Sequence, residues 1–153
     1  MKRLRTTNQQ IELQLGPHEK LLLAEILELY PRIPTTYQTL SKSAGFEASN
    51  QRLLEEALAE HRAENKKRLA AILSDPKKFS PNQHGWLLSL TAAEMEHLLQ
   101  VLNDIRVGSW LSLGSPESLS LPLRKQANPH FWAMELAGLF QMHFLELLHE
   151  DES

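Results

Sequence analysis

Between Phe131 and Leu148, eleven of eighteen residues carry large apolar side chains, and at 100° per residue they fall on nearly every side of a helix. Such a helix has to be covered, either at the centre of a core or inside an interface between chains. A bilayer is not the cover: the longest run free of formal charge in this segment, residues 136–145, has ten residues against the ~20 that cross a membrane. Asn128-Pro129 supplies an N-cap and a first-position proline, so the helix is predicted over 129–149.

A chain of 153 residues with thirty leucines can build one domain, 1–153, around a substantial core. Ile11, Leu13 and Leu15 alternate with Glu12 and Gln14, and Thr6-Thr7-Asn8 supplies turn residues, so 1–15 reads as a β-hairpin. Gly16-Pro17 opens a helix over 17–30, which Pro31 and Pro34 close. A short helix over 35–44 ends at Gly45, and Ser49 caps a long one over 50–73. Pro76 to Gly85 reads as a polar connection, after which Trp86, Leu88 and Leu90 mark a third short strand that pairs with the hairpin. Thr91-Ala-Ala-Glu94 is a capping box, with Leu90 and Met95 placed to staple it; the helix it starts runs over 92–113 and stops at Gly114. Residues 115–127 carry serines and two prolines and read as a long loop. The expected fold class is mainly α: four to five helices with a small N-terminal antiparallel β-hairpin or three-stranded sheet.

Sixteen Lys+Arg against nineteen Asp+Glu leave a formal charge of −3, so the positive field that draws a chain to nucleic acid or acidic membranes is missing. Lys66-Lys67-Arg68 and Lys77-Lys78 are basic, but Glu55, Glu56, Glu60 and Glu64 precede them, which reads as a solvated helix surface and makes nucleic acid an unexpected partner. The absence of cysteine excludes disulfides and thiolate chemistry, and the opening residues lack the apolar stretch of an export signal, so the reading is cytoplasmic. There is no phosphate loop, nucleophile elbow or His-Glu-x-x-His, so no catalytic residue is assigned and no cofactor is expected. Two pairs, Glu94–His97 and Glu146–His149, have the Glu-x-x-His spacing of carboxylate-bundle metal sites. Glu94 already serves the capping box and His149 ends a helix, so no metal site is assigned. His143, on the apolar last helix, reads as a core or interface histidine.

Arg106 is the most informative anomaly. With Met95 as origin, Leu98, Leu99, Leu102 and Leu113 lie within about 60°, and Arg106 lies among them at about +20°. A guanidinium placed there needs a partner, because burying it unpaired costs several kcal/mol. Glu135 on the last helix is one candidate, and the Glu60 to Glu64 turn is another. Two turns of the long helix, HRAENKKR, lack a large apolar side chain, and His61, Asn65 and Arg68 fall on the same stripe as Leu54, Leu58 and Ile72. Arg106, Asn103, Glu135, His61, Asn65 and Arg68 are therefore expected to converge on one internal polar cluster. It would be either a register-fixing network or a pocket in which Arg106 holds a carboxylate or phosphate.

The basic opening strand Lys2 to Arg5, the Gly16-Pro17-His-Glu helix start, Leu53-Leu54-Glu55-Glu56 and the Leu102-Asn103-Asp104-x-Arg106 helix together resemble the uncharacterised bacterial family DUF2017. The resemblance covers most of the chain. Its specific motif is Leu-Asn-Asp-x-Arg, and the Ser115 to Gln126 loop and the apolar last helix depart from the family pattern, as in a divergent member. It implies a helical fold and no particular activity. Relatives encoded beside a Clp-protease adaptor and a metalloprotease-like protein imply a link to proteolysis. The functional expectation is a non-enzymatic helical module acting through protein contacts, with a protein partner or a second copy on the last helix. The alternative is a small-anion or ligand-binding protein or enzyme using the cluster around Arg106.

Overall fold

The computed structural model describes residues 1–6, 10–31, 48–114 and 128–149. Among them the elements are β1 (Lys2–Thr6), β2 (Ile11–Leu15), α1 (Pro17–Glu28), α2 (Ala48–Ser74), β3 (Phe79–Asn82), β4 (Gly85–Leu90), α3 (Ala92–Ser112) and α4 (Pro129–His149). The fold is mainly α with an antiparallel sheet that begins at the N-terminus, as the periodicity predicts. The expected helix over 35–44 and loop over 115–127 lie outside the described residues. α2 begins at Ala48, so Ser49 stands in the first turn rather than ahead of it.

The sheet has four strands in the order β1-β2-β4-β3. Its inner face is built from cross-strand pairs, Ile11 opposite Leu90 and Leu13 opposite Leu88, all four buried. β3 replaces part of the polar connection expected over 76–85. Its Phe79-Ser-Pro-Asn sequence has one apolar anchor, and Pro81 is tolerated because β3 is an edge strand. That anchor suffices: the Phe79 ring lies 4.8 Å from Trp86, and the Lys20 ammonium stands 4.5 Å above the Trp86 ring. The β3–β4 turn requires glycine. Gly85 has φ +134°, and a Cβ there would lie 2.3 Å from the Leu15 carbonyl oxygen. On the other edge, the β1–β2 register slips between Arg3 and Arg5, leaving Leu4 half exposed at a bulge.

The predicted starts of α1 and α3 are both capped. Glu19 accepts from the Gly16 N–H (2.9 Å) ahead of Pro17. At α3 the box is reciprocal: Thr91 Oγ1 accepts from the Glu94 N–H (3.1 Å) and Glu94 Oε1 from the Thr91 N–H (3.0 Å), with Leu90 and Met95 both buried. α3 and α4 form an antiparallel pair, since Trp110 lines one groove with Met134, and Arg106 borders Gly138. Arg3 of β1 donates to the carbonyls of Leu147 (2.7 Å) and Leu148 (3.4 Å), tying the sheet to the C-terminal turn of α4. Within α2, Leu69 and Ile72 reach the core, whereas Leu53 and Leu54 are exposed. No helix among the described residues is long and apolar enough to cross a membrane.

The apolar excess of α4 is covered on one side only. Ala133, Leu136, Ala137, Phe140, Phe144 and Leu147 form the buried face, and Trp132, Leu139, Met142 and Leu145 are left 39–48% exposed on the rest of the surface. α4 is thus a core helix and at the same time the bearer of an uncovered apolar surface.

Candidate functional site

The site expected at Arg106 is reorganised, because the apolar stripe of α3 is centred elsewhere. Its buried residues include Val101, Ile105, Gly108 and Ser109 as well as Met95, Leu98 and Leu102, which moves the centre to about −60° from Met95 and leaves Arg106 some 80° off it. Arg106 is accordingly exposed rather than enclosed among leucines. Its stem passes over Gly138, where an added Cβ would meet Arg106 Cδ at 3.4 Å, and its Nη2 donates to Asn103 Oδ1 at 3.0 Å. Among the described residues no carboxylate lies within 4.0 Å of the guanidinium, so neither Glu135 nor the Glu60 to Glu64 turn answers it.

Arg106 and Glu135 nevertheless share a groove of about 590 Å³ between α3 and α4. Val107 and Trp110 line it from α3, and Met134, Gly138, Leu139 and Met142 from α4. It continues along α4 past Gln141 and Leu145 towards His149. The small side of Gly138 and the Ala133/Ala137 contact face let the two helices approach closely, and the large side chains flanking that line become the groove walls. Leu139 and Met142 were flagged by the all-round apolarity of their helix. Val107 and Trp110 were missed, although their place off the buried stripe is itself the signal of an apolar surface.

His61 and Asn65 belong to a different place. Asn65 is 7% exposed; its Nδ2 donates to Tyr30 Oη (3.2 Å) and to His61 Nε2 (3.2 Å), and its backbone carbonyl faces His97 Nε2 at 3.3 Å. With the amide as donor, His61 Nε2 is the acceptor of this contact. This network ties α2 and α3 to Tyr30, just past the end of α1. It answers the polar gap in the α2 stripe with Tyr30 and His97, two residues that the helical periodicity did not single out. A cleft of about 290 Å³ lies beside it, lined by Tyr30, His61, Arg62, Gln100 and Asp104, and Val107 borders both this cleft and the Arg106 groove. Arg68 is exposed and lines neither. The six residues expected in one cluster are therefore distributed over a groove, a buried network and the open surface.

The remaining titratable candidates have structural positions. Burial pushes the Glu94 carboxyl up, but the Lys78 ammonium, the Thr91 N–H and the Thr91 hydroxyl outweigh it and hold the group below its ordinary range. Glu19 is also held low against its desolvation, by the Met1 amino group, the Gly16 N–H and His143. His97 is turned into the Asn65 network, away from its sequence partner Glu94, and His143 is exposed rather than in the core, 3.9 Å from Glu146. Among the described residues no group of three histidines and carboxylates is placed to hold a metal ion. Ser109 Oγ is fully buried and finds no hydrogen-bond partner among the described residues. Compared with family models, curated proteins and solved structures, the chain finds no match.

Proposed function

We propose that this chain is a cytoplasmic, non-enzymatic protein-interaction module whose working surface is the exposed side of α3 and α4. The observation that carries the reading is the uncovered apolar surface of Val107, Trp110, Leu139, Met142 and Leu145 along one groove, with Trp132 exposed two turns before Leu139 on α4. Two tryptophans and four aliphatic side chains, each 37–48% exposed, leave about 500 Å² of apolar surface in water, at the upper end of what a monomer tolerates. Trp132, Leu139 and Met142 recur at intervals of seven and three, the spacing of a seam that receives another helix. The resemblance to DUF2017 directs the search for partners towards components of proteolysis.

The alternative, anion or small-ligand binding at Arg106, draws on the same groove and is the weaker reading. The Glu135 carboxylate shares the groove and repels an anion, and the remaining lining is largely apolar. A photo-crosslinking residue placed at Leu139 tests the docking surface in cells. Discrete protein adducts are expected there, abolished by Met142→Asp and absent from the same residue placed at exposed Lys67. Equal labelling at both positions, or none at Leu139, overturns the reading.

A further inference from the structure

Resting on that reading, we infer that the occupant of the groove is a second copy of the chain, related by a two-fold axis that sets Arg106 of each copy against Glu135 of the other. Arg106 and Glu135 face the groove from different helices, and among the described residues neither is ion-paired; Glu146 and His149 stand at its far end on α4. A two-fold interface brings residue i against residue j and j against i, so these two charges are satisfied by each other with nothing supplied from outside. A foreign partner would have to bring both an acid and a base at matching positions.

The remaining contacts follow from the antiparallel pairing of α3 with α4. Arg106 stands level with Gly138 and Trp110 with Met134, so an axis that joins Arg106 to Glu135 also brings Trp110 of one copy to Leu139 of the other. An apolar pair then lies one turn from each charge pair. The apolar patch of about 500 Å², with the exposed Arg106 and Glu135 beside it, supplies the larger part of the roughly 800 Å² per partner of a stable interface. Arg106 loses little on docking, because its stem already rests on Gly138 and Asn103 already orients its guanidinium.

Sedimentation of the full chain tests this directly. The wild type is expected at twice 17.5 kDa at micromolar concentration. Arg106→Glu and Glu135→Arg should each weaken self-association on the order of a hundredfold, since each turns two attractions into two repulsions. The double variant R106E/E135R should recover the wild-type dimer, a rescue that a residue serving only the fold of one chain would not produce. Both positions are exposed, and unchanged circular dichroism will confirm that the variants fold. A wild type that stays monomeric, or a double variant no better than the single ones, overturns the second copy. If the wild type is monomeric while crosslinks from Leu139 still join a polypeptide of different mass, the docking surface stands and the self-association falls. If Leu139 gives no adduct, both fall.

Discussion

Replacing Asn65 probes the polar network that joins α2 and α3 to Tyr30, just past the end of α1. Its amide makes two hydrogen bonds, to the buried Tyr30 hydroxyl and to the exposed His61 ring, while the bond from His97 goes to its backbone and survives substitution. Two net hydrogen bonds at about 1 kcal/mol each, less about 0.5 kcal/mol returned by the better helix propensity of alanine, give an expected loss of about 1.5 kcal/mol for Asn65→Ala. Tyr30→Phe should cost about 1 kcal/mol, because Asn65 keeps its bond to His61. The double variant should be no less stable than Asn65→Ala, since the shared bond can be lost once, and the coupling is then about 1 kcal/mol. Urea unfolding at dilute protein concentration, where association adds nothing to stability, measures all four corners of the cycle. A coupling below about 0.3 kcal/mol would refute the claim that the two side chains are energetically joined.

Ser109→Ala should stabilise the chain by about 1 kcal/mol in the same assay, because it removes a buried hydroxyl without a partner among the described residues and improves helix propensity. Gly85→Ala should cost about 3 kcal/mol, read as a lowered urea midpoint, because the new Cβ both meets the Leu15 carbonyl and demands a strained φ. Glu94 titrates low when folded, so its contribution is complete above the ordinary value of 4.5 and is lost as pH falls through the lowered value; stability-versus-pH curves for Glu94→Gln should be flatter in that acid range, with Glu19 supplying a residual slope of the same sign. Arg3→Met should cost about 1–2 kcal/mol and speed amide exchange in the last turn of α4, whose carbonyls it leaves without their charged donor.

The expectation that failed most informatively is the burial of Arg106. Helical wheels assign a stripe from the large residues, and Met95, Leu99 and Leu113 pulled its centre towards the arginine. The buried face actually runs through Val101, Ile105, Gly108 and Ser109, where small residues admit a neighbouring helix. The polar gap in α2 finds its partners in Tyr30 and His97, both distant in sequence, rather than in Arg106 or Glu135. β3 escaped notice because one phenylalanine in a polar tetrapeptide carries almost no periodicity; pairing with β4 makes it a strand.

What the amino-acid order determined alone is whatever depends on a few neighbouring residues: the Thr91–Glu94 box, the proline-led starts of α1 and α4, the alternation of β2, and the apolar excess that left α4 needing cover. Those signals act within one or two turns, so they are complete before any other segment arrives. Tertiary packing decided which side of α4 is covered, where Arg106 points, and which side chains answer Asn65. These depend on how far α3, α4 and the sheet can approach one another, and that distance is set by the small residues at their contacts rather than by the local pattern of any one helix.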